Sequence, residues 1–348
     1  MTIAPVPPAS ATVIGDAAAP GAAAATQGPA PTASAPHPPD VTPQAGPAAA
    51  LGAAVQAAAG RQSGLASLFA ELQVVVQTPG LPAPVLAAAS QLLGLPLPLD
   101  PPPSAADLRQ AVAQSGLFLE AQLASAGATA GGDLKAALLD LGQALEAWLG
   151  PSAARPAPGG QPPAPPYRGG PVRGQPPAQA GLAADAPPEA VGARLLQATG
   201  GAIARQTLQQ AASLPDHSPR PSHAQGSQWL FEVPLATQQG AAVAQFAIAR
   251  DGRASGGDGG DPPAWKTDVS LHLEPMGSVH ARIVLTGDRV RVTLWAENDG
   301  TAGRLGARGD ELAKALLDEG LAATVNVVAG APPSAPAPSA GRLVDQAL

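Results

Sequence analysis

The sequence predicts an α+β protein. It has a small mixed sheet (strand, hairpin, helix, strand) near the C-terminus, a helical middle segment, and a largely disordered Ala/Pro/Gly-rich N-terminal region and linkers. Three observations predict this. Of 348 residues, 40 are Gly and 42 are Pro, while aromatics make up only 3%, too few large apolar side chains to offset the chain entropy of one large domain. Three of the four Trp (Trp229, Trp265, Trp295) and two of the four Phe (Phe231, Phe246) fall between 229 and 295, which places the best core there. In that stretch the apolar pattern has period two, and elsewhere it has helical spacing.

The elements follow in order. Residues 1–60 are Ala, Pro, Gly, Ser and Thr with almost no charge, a composition that favours extended, polyproline-like chain. Residues 61–150 carry amphipathic helices. Leu65, Leu68, Phe69, Leu72 and Val76 share one face, and a second segment runs from Val85 to Leu93. Ser104 and Asp107 make a capping box that opens a helix carrying Leu108, Val112, Leu119 and Leu123. Asp133 caps a helix with Leu134, Leu138, Leu141, Leu145 and Trp148, which Gly150 and Pro151 end. These faces need a partner surface, either each other or a bound protein. Residues 151–186 read as a Pro/Gly linker. In 187–225 a helix from Glu189 to Leu214, weakened by Gly200 and Gly201, is closed by Pro215 to Pro221.

Residues 226–330 form the α+β domain. Strands are expected over Trp229–Leu235 and Ala242–Ile248. Three alternating runs follow: Val269/Leu271/Leu273, Val279/Ala281/Ile283/Leu285 and Val290/Val292/Leu294. Thr286-Gly287-Asp288 is a tight hairpin connection. A helix carrying Leu312, Leu316 and Leu317 ends at Gly320, its start obscured by Gly300, Gly303, Gly306 and Gly309. A last strand covers Thr324–Val328, and 331–348 is a short flexible tail.

The candidate partner-binding residues are Glu274, Pro275, Met276, Gly277, Arg282, Arg291 and Trp295. Turn chemistry alone accounts for Pro275 and Gly277, and a contact loop is the alternative. Arg282, Arg289 and Arg291 make a basic strip on the outer sheet face, open to an acidic partner or simply solvated. Trp295 shares that face by alternation, either exposed as an anchor or covered by another strand or by the 251–264 loop. His272 and His280 share a face and read as ordinary exposed histidines, since a metal site needs more ligands. The Gly-rich stretch Arg250–Pro263 lacks the strand–helix setting of a phosphate cradle.

No cysteine is present, which excludes a disulfide scaffold, a thiolate metal site and a cysteine nucleophile. The net charge of −7 argues against a nucleic-acid partner. No apolar run of 18 residues occurs, so no membrane insertion is expected. With its first Lys or Arg at Arg61 and prolines at 5, 7 and 8, the N-terminus does not read as a cleavable signal peptide. No Walker A, H-E-x-x-H or G-x-S-x-G pattern occurs, and the expectation is a non-enzymatic monomer without a cofactor.

The stretch Leu271-His272-Leu273-Glu274-Pro275-Met276-Gly277-Ser278-Val279-His280-Ala281, with the hairpin, the helix ending Glu319-Gly320-Leu321 and the terminal strand, resembles the flagellar hook-length control proteins over Trp265–Val328. A central segment is also similar: Leu108-Arg109-Gln110, Ser115-Gly116-Leu117-Phe118-Leu119-Glu120, and Asp133-Leu134-Lys135 with Leu138 and Leu139. The resemblance implies a cytoplasmic chain exported through the flagellar type III apparatus as a molecular ruler. Its N-terminal part would meet hook and hook-cap subunits. Its C-terminal domain would meet the cytoplasmic domain of the export-gate switch protein and turn export from rod/hook to filament substrates. Two departures stand out: the tail after Val328 is short, and four glycines interrupt a region expected to be helical. The other reading is a non-flagellar scaffold or secreted interaction protein with a small α+β binding module.

Overall fold

A computed structural model describes residues 46–126, 131–150, 163–182, 186–215, 226–250 and 263–333. The expectations for 1–45, 151–162, 216–225 and 334–348 lie outside the described residues. Most of the other expected elements form, as a layer of helices against a seven-stranded sheet.

The helical layer is built first. α1 (Pro47–Ala59), α2 (Leu65–Val75), α3 (Ala83–Leu93), α6 (Leu134–Leu149) and α7 (Pro188–Ser213) turn their apolar stripes toward one another. Leu65, Leu68, Phe69 and Leu72 of α2, Val85 and Leu92 of α3, Leu138, Leu141 and Leu145 of α6, and Leu195 of α7 form the main core. Each such side chain contributes roughly 1.5–3 kcal/mol by leaving water. The partner surface that these faces need is therefore supplied within the chain. α1 packs on α7 through Val55, Ala58, Ala204 and Leu208, so helix begins at Pro47 within the segment whose composition reads as extended. Gly201 lets the 61–63 turn approach: Ser63 N–H donates to the Gly201 carbonyl at 3.0 Å, and a Cβ at Gly201 would lie 2.2 Å from Ser63 Oγ.

The capping box forms at Ser104, where Asp107 N–H donates to Ser104 Oγ and Ser104 N–H donates to Asp107 Oδ2. The single helix expected beyond it is two, α4 (Ala105–Ala113) and α5 (Leu119–Ala126). The break comes at Gly116, whose φ of +85° lies in the left-handed region that other residues avoid. Asp133 caps α6 by accepting from Lys135 and Ala136 N–H. Burial outweighs those bonds and holds its carboxyl above the usual aspartate range.

The sheet runs in sequence order: β1 (Leu97–Pro98), β2 (Gln228–Thr237), β3 (Gly240–Arg250), β4 (Ala264–Leu273), β5 (Gly277–Thr286), β6 (Arg289–Ala296) and β7 (Ala322–Ala329). β2 through β6 form an antiparallel meander, whereas β1–β2 and β6–β7 are parallel. The parallel β6–β7 pair requires a crossover, made by α8 (Asp299–Ala307) and α9 (Gly309–Asp318). α8 is helical despite its three glycines because Asn298 caps it, accepting from Thr301 N–H at 3.0 Å.

Register fixes two faces. One carries Phe231, Phe246, Val269, Ala281, Leu294 and Val327; the other carries Glu232, Gln245, Ser270, His280, Trp295 and Val328. Over β2 and β3 both faces are covered. Phe231, Val233 and Leu235 pack with Leu97, Val112 and Leu117 on one side, while Ala241 and Val243 join the helical core on the other.

Candidate functional site

The second face becomes polar from β4 to β7. Counting from the β4–β5 turn, its cross-strand rows are His272–Ser278, then Ser270–His280–Trp295–Val328, then Asp268–Arg282–Thr293–Asn326, then Lys266–Val284–Arg291–Thr324. His272 and His280 thus share a face but are not opposite each other.

Arg282 organises the middle row. Its Nε donates to Asp268 Oδ1 at 2.6 Å, and its guanidinium sits 5.7 Å from the Trp295 ring centroid, within cation–π range. Lys266 Nζ reaches Asp268 Oδ2 at 2.9 Å. Two cations therefore surround one carboxylate. Arg289 and Arg291, exposed on β6, add positive charge and make no ion pair among the described residues. A basic strip on a chain of net charge −7 is suited to a carboxylate-bearing surface.

Trp295 and His280 do not lie open. Trp295 is 8% exposed and His280 9%, so His280 is not the exposed histidine expected. Its Nε2 lies 3.3 Å from Glu297 Oε1, and its Nδ1 is buried without a partner. Both line a cleft of roughly 420 Å³ together with Lys266, Asp268, Arg282, Gly170, Pro171, Pro332 and Pro333 among others. The 251–262 part of the loop considered as a cover lies outside the described residues.

Residues of the Pro/Gly stretch pin the helical layer to this face. Arg173 N–H donates to Gln245 Oε1, and Gly174 N–H to Ser270 Oγ at 2.9 Å. Gln175 exchanges backbone bonds with Val243 and donates from Nε2 to Glu232 Oε1. Gln175 Oε1 in turn accepts from Ala66 N–H of α2. Gly174 passes so close that a Cβ would stand 2.5 Å from Leu271 Cα.

The β4–β5 turn lies beside this surface. Gly277 has φ +77° and the Glu274–Pro275 peptide is cis. Glu274 and Pro275 are exposed, while Met276 and Gly277 are half-buried. Thr301 of α8 donates its hydroxyl to the Met276 carbonyl at 2.9 Å, and His272 Nδ1 lies 3.0 Å from Ser278 Oγ. The turn is therefore tied to the start of the crossover. The structure brings Arg282 and Trp295 together in the cleft and places Arg291 one row beyond. The turn stands at the near end of the sheet. Sequence reasoning missed Asp268 as the partner of Arg282, and Lys266 as the second cation on that carboxylate; the hairpin register, extended one strand back, carries that signal. It also missed the 173–175 strap, whose bonds are made mostly by backbone and leave little trace in residue type.

Among the described residues no group of three His, Asp or Glu side chains is placed to hold a metal ion, and no helix is long and apolar enough to cross a membrane. No curated protein and no solved structure matches the chain. Residues 256–336 match the family model described as flagellar hook-length control protein FliK. The likeness carried by Leu271–Ala281 is thereby shown, and the C-terminal part of this chain is similar to the flagellar hook-length control family.

Proposed function

We propose that this chain controls flagellar hook length as an exported ruler, and that its C-terminal domain triggers the change of type III export from rod/hook to filament substrates. The observation that carries the reading is the family match over 256–336, which spans the β4–β5 turn, the crossover helices and β7. Its partners on this reading are the cytoplasmic domain of the export-gate switch protein and the hook and hook-cap subunits. The role is non-enzymatic, and the basic strip of Arg282, Arg289 and Arg291 with the Glu274–Gly277 turn is the surface offered to the gate.

A ruler needs contour length. Residues 1–225 would span at most about 740–810 Å if fully extended. Helices α1 to α7 must come apart before that length is available, and the absence of cysteine leaves no disulfide to hinder it. The test is a deletion strain examined by electron microscopy of isolated hooks. Overlong hooks without filaments, restored by the full chain, are expected. Hooks of normal length bearing filaments would overturn the reading.

A further inference from the structure

β7 ends the sheet, and its outer edge pairs with no strand among the described residues. Its eight residues, Ala322-Ala323-Thr324-Val325-Asn326-Val327-Val328-Ala329, pair with β6 without interruption, and every one is half-buried or exposed. Sheet edges are ordinarily protected by a charge, a proline, a bulge or a covering element. β7 has no charged residue and no proline, and its ladder has no bulge. Val325 and Val327 stand on one face, Thr324, Asn326 and Val328 on the other. A regular edge rich in β-branched residues, with main-chain donors and acceptors along its outer side, is a template for one more strand.

Its surroundings select the occupant. α9 packs over β7 on the apolar face, where a Gly309 Cβ would lie 3.9 Å from Val325. That helix and its C-cap present Asp310, Glu311, Asp318 and Glu319 against Lys314, all exposed. Among the described residues only Glu311 of these is taken up in an ion pair, by Arg308. Pairing two copies edge to edge about a twofold axis normal to the sheet would bring two acidic α9 helices together on one face, which like charges oppose. A strand from a different protein carrying basic residues on its α9-facing side meets the opposite situation, since Arg289 and Arg291 stand one strand in and on the other face.

We propose that the free edge of β7 is an acceptor site for an extended, basic, β-branched segment of a partner protein, which joins the sheet as an eighth strand. This goes beyond the export-switch reading and does not require it.

The test uses the full chain and three fluorescent peptides: alternating Val and Thr with lysine at both ends, the same peptide with glutamate at both ends, and the lysine peptide N-methylated at alternate residues. Fluorescence anisotropy measures binding, and hydrogen exchange locates it. The expected result is saturable binding of the lysine peptide, at least fivefold weaker binding of the glutamate peptide, loss of binding on N-methylation, and new amide protection centred on Ala322–Ala329. No saturable binding, equal binding of the N-methylated peptide, or protection elsewhere overturns the proposal. Sedimentation of the chain alone adds a further arm: a dimer that the lysine peptide dissociates would assign the edge to a second copy and overturn it too.

Discussion

Arg205 of α7 and Glu232 of β2 form an ion pair at 2.7 Å, and both side chains are almost wholly removed from water. Arg205 also donates to Gln62 Oε1 and to the Ala164 carbonyl, and Glu232 Oε1 accepts from Gln175. One pair thus joins the helical layer, the sheet and the strap. Removing one member strands the other charge, at a cost of about 3–5 kcal/mol, whereas replacing both by apolar residues of similar size is close to neutral. Arg205→Ala is expected to lower stability by roughly that amount, and the Arg205→Met/Glu232→Leu double substitution to recover most of it. Urea denaturation measures both. Equal losses in the two variants would contradict this account.

Glu71 of α2 gives a dependence on pH. Burial raises its carboxyl above the ordinary glutamate value despite the Arg194 hydrogen bond and charge, and its second oxygen has no partner. A raised folded-state value means that the folded chain binds this proton more tightly than the unfolded chain. The associated stability is fully present below the unfolded value of about 4.5 and is lost as pH rises through the folded one. Glu71→Gln is therefore expected to flatten the stability profile above pH 4.5, removing a slope of at most about 1.4 kcal/mol per pH unit. Denaturation midpoints between pH 4 and 8 give the comparison, and parallel profiles for the two chains would refute it.

The crossover helix α8 depends on its cap. Asn298→Ala is expected to destabilise it by about 1 kcal/mol. A Cβ at Gly303 or Gly306 would meet nothing within 4 Å, so alanine at either position is expected to stabilise by about 0.5–1 kcal/mol. Thermal unfolding of the single variants distinguishes these signs. Destabilisation by Gly303→Ala would mean that its glycine is required by something other than the helix.

The strap is probed at Gly174. Because its Cβ would strike the Leu271 backbone, Gly174→Ala is expected to lift the segment and weaken the Arg173–Gln245 and Gly174–Ser270 bonds. Hydrogen exchange at Gln175 and Val243, which bond each other, should speed up by tenfold or more, corresponding to at least about 1.4 kcal/mol. Unchanged protection there would show that the segment tolerates the methyl group.

Much of the fold is legible in local pattern. Alternation locates β4, β5 and β6 to within a few residues, and the capping residues Ser104 and Asp133 mark helix starts, because these signals reside in neighbouring side chains. The split between α4 and α5 is written only in Gly116, whose neighbours continue a helical spacing. β1 is two residues long and exists through its pairing with Leu235 and Ala236, far away in sequence. At the candidate site, alternation puts Arg282, Arg291 and Trp295 on one face. The cleft that Trp295 lines is also lined by Gly170 and Pro171, far earlier in a stretch whose composition reads as linker. Long-range backbone bonds have no period to read.

The parallel β1–β2 ladder has a mechanical meaning for a chain drawn out from its N-terminus. β1 precedes the meander by well over a hundred residues and holds an edge by two pairs, and α3 just before it belongs to the helical layer. Traction would meet side-chain packing and then a short outer ladder that opens pair by pair. The long antiparallel strands behind it resist as a body. Such an arrangement would yield in stages, with the sturdiest resistance met last.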